Sequence, residues 1–317
     1  MMDWTDRHCR VLHRRLAPHA LLYTEMLHAL AVVRGDRERL LGHDAEEHPL
    51  ALQLGGSDPA LLAQAAVIGA DYGHAEINLN CGCPSERVQE GAFGACLMRE
   101  PALVADCVAA MRAAVPASVP VTVKCRIGVD EQDDYEGLER FITTVAQAGC
   151  KVFIVHARKA WLKGLSPKEN REVPPLDYGR VYRLKREHPQ LTIVLNGGLA
   201  DTQAVAGALD HVDAVMVGRA AYHTPWFLAQ LEQQLHGTPL PDRIGVLRDL
   251  EDYVQARLAA GARLINIVRH WCGIAHGLPG ARAFRSHLVE EGRAPDADWR
   301  VVEAALSRLS APVTEAA

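Results

Sequence analysis

Short apolar runs alternate along the chain with longer amphipathic stretches. Leu21–Met26, Leu50–Gly55, Ala75–Asn80, Val121–Arg126, Lys151–His156, Leu191–Asn196 and Ala214–Gly218 are β-prone and mostly apolar throughout. That pattern predicts parallel strands buried on both faces. Between them, Pro59–Ile68, Pro101–Val115, Gly137–Ala148 and Thr202–Leu209 carry apolar residues at helical spacing, the first two with Pro in the first turn. Alternation of this kind builds right-handed βαβ units around a parallel sheet. Polar residues fall at or just past the C-terminal end of nearly every strand: Glu25, Gln53, Asn78 with Asn80, Lys124 with Arg126, His156, Asn196 and Arg219. Convergence from many strands suits the mouth of a barrel, whereas an open sheet concentrates its site at one switch point. The expected fold is therefore α/β, a TIM (β/α)8 barrel, of which seven strands can be counted in this sequence.

After Arg219 the pattern changes. His236–Arg243 is a Pro/Gly-containing connector, and Ile244–Ala259 carries an i, i+3, i+4 stripe through Val246, Leu247, Leu250, Tyr253, Val254 and Leu258. Ala262–His276 and Trp299–Leu309 also read as helices, which predicts a barrel domain over 1–236 and a C-terminal helical domain of three or four helices over 237–317. The last residues, Ser310–Ala317, are expected to fray.

Composition narrows the class. The 317 residues are 49% hydrophobic and 23% charged, ordinary for a globular protein. No apolar run is long enough to span a membrane, and Met1–Arg10 lacks the apolar core of a secretion signal. A reducing, cytoplasmic setting is expected, with the eight cysteines unpaired. Only Cys81 and Cys83 are close, as C-x-C without a second ligand pair, so no metal is expected. At a net charge of −5, any contact with nucleic acid must come from local basic patches.

Several residues carry chemistry. Asn196-Gly197-Gly198 and Gly218-Arg219 end the last two strands, where barrels of this class bind phosphate through backbone N–H groups and an added cation. Asp201 or Thr202 is positioned to cap the helix between them. Cys83 leaves a strand through Gly82 and Pro84, which puts a thiol on the mouth loop, able to act as a general acid or, beside a cation, as a nucleophile. Cys81 reads as packing. Lys124 lies inside an apolar strand and needs an anion, a role that a bound cofactor would fill. His156 shares that rim. The irregular stretch Trp161–Asp177 holds Lys163, Lys168 and Arg171 beside an aromatic, which suits a phosphodiester partner. A second basic cluster, Arg263, Arg269, His270, Arg282 and Arg285, lies in the tail.

The sequence resembles the tRNA-dihydrouridine synthases, and within them the DusA subfamily. The resemblance runs through Met2–Cys9, Leu22–Met26, Ala51–Gly56, Asn80–Ser85, Phe153–Trp161, Gly164–Tyr178 and Arg269–Arg285, with the stretch Gly164–Arg171 the most specific. It implies an FMN-binding TIM barrel with a C-terminal helical domain. Gln53, Lys124, His156, Asn196, Gly197, Gly198, Gly218 and Arg219 would contact FMN, and Cys83 would be the catalytic cysteine. The implied reaction reduces the C5–C6 bond of a D-loop uridine of tRNA at position 20, often with 20a, with NADPH reducing the flavin. Hydride passes to uracil C6 and Cys83 protonates C5. Asn80, Lys168, Arg171, Arg282 and Arg285 would hold the tRNA, and a monomer is expected.

The sequence departs from the family pattern in three ways. Members of the family begin with a further strand ending in Ala-Pro-Met ahead of Met2-Asp3-Trp4, so the eighth strand is expected to be the missing one. Cys125 stands where Thr or His is usual, and Cys81 where Val is usual. Two other readings compete: a flavin barrel acting on a free pyrimidine, which would need neither the basic loop nor the helical tail, and a non-catalytic RNA-binding module.

Overall fold

The computed structural model describes residues 1–85 and 91–309. By its internal contacts the chain divides into two compact units. The first holds Met1–Met2 and Leu21–Gly218; the second holds Asp3–Ala20 and everything described from Arg219 on. The connector His236–Arg243 thus lies inside the second unit.

The first unit is built on one parallel sheet of seven strands in sequential order. They are β1 (Leu22–His28), β2 (Leu50–Gly55), β3 (Glu76–Cys81), β4 (Val121–Arg126), β5 (Val152–His156), β6 (Thr192–Asn196) and β7 (Ala214–Met216). A sequential all-parallel order with helices between strands is the curled α/β arrangement of TIM-type folds. Four of the connecting helices start on an aspartate that accepts from a backbone N–H of the first turn: Asp58, Asp134, Asp177 and Asp201. That settles the cap of Thr202–Leu209 on Asp201.

The strands are not apolar on both faces. Leu52, Leu54, Ile77, Leu79, Val121, Val123, Phe153, Val155, Ile193 and Leu195 occupy one set of alternate positions and are buried. The helices cover this set: Gly69 of helix Pro59–Asp71 approaches Leu52 and Ile77 so closely that an added Cβ would meet their methyls at 2.4 and 3.0 Å. The other set carries Glu76, Gln53, Asn78, Asn80, Thr122, Lys124, Arg126, His156 and Asn196 beside Ala51, Ile154 and Val194, and most of it is just as buried, because many of its polar members bond to one another.

The sequence reading missed Tyr178–Glu187, whose charged surface hides a helix that buries only Val181 and Leu184. It also missed Arg7–Leu16 and Ala281–Glu291.

In the second unit, helix Arg7–Leu16 starts at Asp6, which accepts from Cys9 N–H at 3.0 Å and pairs with Arg269 at 2.7 Å and His270 at 3.0 Å. Burial would raise the Asp6 carboxyl, but the bonds from His270, Cys9 and Arg269 hold it well below the usual carboxylate range. Trp4 stacks on Tyr222 at 4.5 Å. The single helix expected over Ile244–Ala259 is broken into Gly245–Arg248 and Glu251–Ala259 by a tight turn at Asp249–Leu250, which keeps Leu247, Leu250 and Val254 all buried. Ala262–His276 is likewise a short helix, Leu264–Val268, that tightens into a 3-10 turn at Arg269–Trp271. The tail therefore has more and shorter helices than its periodicity suggested. The expected fraying of Ser310–Ala317 lies outside the described residues.

Two glycines test the packing. Gly69→Ala should cost about 1–3 kcal/mol by overpacking against β2 and β3. Gly207→Ala, exposed within helix Thr202–Leu209 with open space around it, should gain about 0.5–1 kcal/mol. Chemical denaturation of both variants checks the contrast, and equal effects would contradict the packing described.

Candidate active site

Every polar residue of the second face sits at a fixed register. Gln53 pairs with Asn78 across β2 and β3, Asn80 with Lys124 across β3 and β4, Arg126 with His156 across β4 and β5, and His156 with Asn196 across β5 and β6. The C-terminal ends of adjacent strands thus bring five of the sequence-predicted residues onto one rim: Gln53, Asn80, Lys124, His156 and Asn196.

On one side of the rim the amides are joined. Asn80 Nδ2 donates to Gln53 Oε1 at 2.8 Å, and Gln53 Nε2 donates to Asn78 Oδ1 at 2.9 Å. Asn80 Oδ1 accepts from the backbone N–H of both Gly82 and Cys83, each at 3.0 Å. Asn78 is sealed, whereas Gln53 and Asn80 keep 9% of their surface, so the upper end of the chain faces accessible space.

On the other side Lys124 Nζ donates to Asn196 Oδ1 at 3.0 Å, and Asn196 Nδ2 donates to Met216 O at 2.7 Å. Burial, with Arg126 nearby, pulls the Lys124 ammonium down to about 8. The glycine turn follows directly. Gly197 and Gly198 have φ of +110° and +72°, conformations that side chains rarely adopt. A Cβ on Gly197 would also meet the His156 ring at 2.5 Å, and one on Gly198 would meet Leu176 at 2.4 Å. Tyr178 Oη donates to Gly197 O at 2.6 Å. Only glycine fits between these walls, with the His156 ring close against Gly197.

Cys83 is half-buried on the loop after β3, with its sulfur 3.6 Å from Ser85 Oγ. Its loop stands at the same rim, since Asn80, which accepts from Cys83 N–H, faces Lys124 across β3 and β4, and Arg126 Nε donates to Gly82 O. Cys81, by contrast, is fully buried on the apolar face with Cys107, Cys125 and Cys150, and burial pushes its thiol up.

Arg126 was read only as a strand-end residue, and its role was missed. Its Nε donates to Gly82 O at 2.9 Å, while its Nη1 donates to Lys159 O at 3.0 Å and Asn170 O at 2.9 Å. One buried guanidinium therefore holds the cysteine loop and the basic loop together. The signal was its parity: Arg126 is two residues beyond Lys124 and so shares its face. Asn170, fully buried, ties the basic loop internally through Trp161 N–H, Trp161 O and Leu165 O. Around that knot Lys168 is exposed and Arg171 half-buried.

Gly218 follows β7 two residues beyond Met216, which pairs with Asn196. Arg219 opens helix Arg219–His223 of the second unit. Arg282 and Arg285 are exposed on helix Ala281–Glu291, which buries Phe284 and Leu288. The tail cluster is divided, since Arg269 and His270 are committed to Asp6 and Arg263 donates to Arg293 O.

The sequence profile of the dihydrouridine synthases matches residues 1–310. The chain belongs to the dihydrouridine synthase family. It is 62% identical over 308 residues to a tRNA-dihydrouridine(20/20a) synthase of Xanthomonas campestris pv. campestris, covering 97% of this chain and 91% of that one. The proteins of the same name from Xylella fastidiosa strain 9a5c and Vibrio cholerae are 59% and 52% identical, over 100% and 98% of this chain and 93% and 94% of theirs. A solved 2-naphthoyl-CoA reductase complex has a TM-score of 0.56 at 11% identity, over 75% of this chain and 47% of that one, and shows the fold alone. Dihydrouridine synthases reduce uridine to dihydrouridine and depend on flavin, and the described helices include none long and apolar enough to cross a membrane.

The Lys124 geometry has a consequence for this dihydrouridine synthase. Its ammonium sits at about 8 in the fold against 10.5 for an ordinary lysine. The unfolded chain therefore binds that proton more tightly between these values, so the penalty is full below the lower one and lifts as pH rises through the window. Lys124→Met should raise the Tm of flavin-free protein at pH 7, by about 2–4 °C for each kcal/mol relieved, with the gain shrinking near pH 10. Thermal unfolding at both pH values checks this. A lower Tm at pH 7 would mean the ammonium is already compensated.

Proposed function

We propose that this chain reduces uridine to 5,6-dihydrouridine at positions 20 and 20a of the tRNA D-loop, with FMN as its resident cofactor and NADPH as reductant. The observation that carries the reading is the rim, where a thiol loop, an amide pair and a buried ammonium beside a glycine turn meet in a chain of the dihydrouridine synthase family. The residues fit a flavin. Lys124 is a desolvated cation whose recorded bond is to a neutral amide, and it suits an electron-rich ring edge or a phosphate. Gln53 and Asn80 each spend one amide hydrogen on the other residues of the chain, leaving a second with which to meet a ring bearing both donors and acceptors.

FMN, when bound, supplies the hydride that uracil C6 accepts. The protein does the rest. Gln53, Lys124 and His156 hold and orient the cofactor, and the Asn196-Gly197-Gly198 and Gly218-Arg219 turns take its phosphate. Cys83 keeps a proton on its sulfur and delivers it to C5, completing the two-electron, two-hydrogen balance of the C5–C6 reduction. Asn80 holds the loop that aims the thiol and faces the base. The uridine must leave its stack to arrive here, which RNA loops allow at modest energy. Lys168 and Arg171 grip the phosphodiester backbone near the site, and Arg282 and Arg285 extend the grip. In this reading residues 1–236 are the catalytic domain, 237–317 bind tRNA, and the enzyme works as a cytoplasmic monomer without a metal.

Cys83→Ala should keep the yellow flavin spectrum and lower dihydrouridine formation by about 10²–10⁴-fold. Mass spectrometry of modified tRNA reads the product, and undiminished turnover would remove Cys83 from the mechanism. Lys168→Glu with Arg171→Glu should raise the tRNA KM about tenfold or more without bleaching the flavin. An unaltered KM, or reduction of free uracil surviving when tRNA reduction is lost, would favour a free pyrimidine as substrate.

A further inference from the structure

The amide pair at the rim is the top of a longer chain that runs down the polar face. Asn78 Nδ2 donates to Thr122 Oγ1 at 2.8 Å, and Thr122 Oγ1 donates to Glu76 Oε1 at 2.7 Å. Tyr23 Oη donates to the same oxygen at 2.6 Å. Asn78 and Thr122 are fully buried, and Glu76 is 7% exposed. From Cys83 N–H through Asn80, Gln53, Asn78 and Thr122 to Glu76, each group passes a hydrogen in one direction.

That direction is forced. Backbone N–H groups can only donate, so the atom of Asn80 that meets Gly82 and Cys83 must be its oxygen. Its NH2 must then face Gln53, which turns the Gln53 NH2 toward Asn78 and the Asn78 NH2 toward Thr122. The chain reaches its lower end as an O–H donor that needs an acceptor. Burial pushes the Glu76 carboxyl up, and two hydroxyl donors on one of its oxygens offset part of that. An accepting oxygen is what the arrangement demands at that point, and Glu76 Oε1 supplies it.

We propose that Glu76 is a positioning residue for the reaction: as the accepting terminus it anchors Thr122, Asn78, Gln53 and Asn80, whose polarity the backbone N–H groups of Gly82 and Cys83 set, and through them it holds the Cys83 loop. It touches neither thiol nor base. The part that concerns turnover rests on the function proposed above; the part that concerns the loop does not.

Thr122→Val keeps the volume and removes the link. It should lower kcat about tenfold or more, leave the tRNA KM within about twofold, keep the flavin spectrum, and raise the alkylation rate of Cys83 by iodoacetamide several-fold, read at that residue by mass spectrometry. Glu76→Leu empties the terminus from the other side and should give the same pair of changes. Glu76→Gln retains the accepting oxygen and should recover most of the turnover and the slow labelling. Tyr23→Phe removes a donor to Glu76 without cutting the chain and should match the parent in both readouts. A folded Thr122→Val or Glu76→Leu protein with parental kcat and parental Cys83 labelling overturns the proposal, as does a loss shared equally by Tyr23→Phe. Labelling needs no turnover, so loss of uridine reduction in every protein, parent included, is told apart from failure of the positioning.

Discussion

A polar group taken out of water must find a partner, and that constraint organises the first unit. Helices cover one face of the sheet with Leu, Ile, Val and Phe. The other face carries Gln53, Asn78, Asn80, Thr122, Lys124, Arg126 and Glu76 among a few apolar residues, and all seven are buried or half-buried. They can be there because adjacent strands hold them at matching register, where each side chain becomes its neighbour's solvent. The register that satisfies them also delivers the functional rim, so folding and function draw on the same bonds.

The two arms of that rim end differently. The amide arm closes on Glu76, an internal acceptor, and is complete within the first unit. The ammonium arm ends on neutral groups: Lys124 donates to Asn196 Oδ1, Asn196 donates to Met216 O, and burial with Arg126 nearby pulls the ammonium down to about 8. A closed arm is rigid and a site for orientation. An under-compensated cation is a site for a ligand. Under the proposed function, the difference between the arms separates what the protein holds for itself from what it offers a cofactor.

Much of this was legible in the sequence. The seven strands, the loop position of Cys83, the burial of Lys124 inside its strand and the glycine turn after Asn196 all follow from runs, parity and turn chemistry. The internal pairing was not legible. A run such as Glu76-Ile77-Asn78-Leu79-Asn80 reads as strand, but nothing local says that Asn78 meets Thr122, 44 residues away, rather than water. Arg126 was hidden for the same reason, since its partners are carbonyls of two distant loops. In the second unit, the stripe of Ile244–Ala259 gave the buried face correctly, yet periodicity cannot show where a helix tightens to keep that face inward.

The cysteines show how position rather than residue type decides chemistry. Cys81 and Cys83 are two apart, a spacing that would put both on one face of a continuing strand. The strand stops at Cys81, and Gly82 and Pro84 release the chain from that alternation. Cys81 stays among Cys107, Cys125 and Cys150, where burial drives the last three to about 12 and Cys81 upward as well, so all four remain protonated and inert at neutral pH. Cys83 is carried past the strand end to the polar rim, its backbone N–H held by Asn80 and its loop held by Arg126. The backbone that presents this thiol is tied to side chains lying below it on the inner face, through Asn80, Gln53 and Asn78.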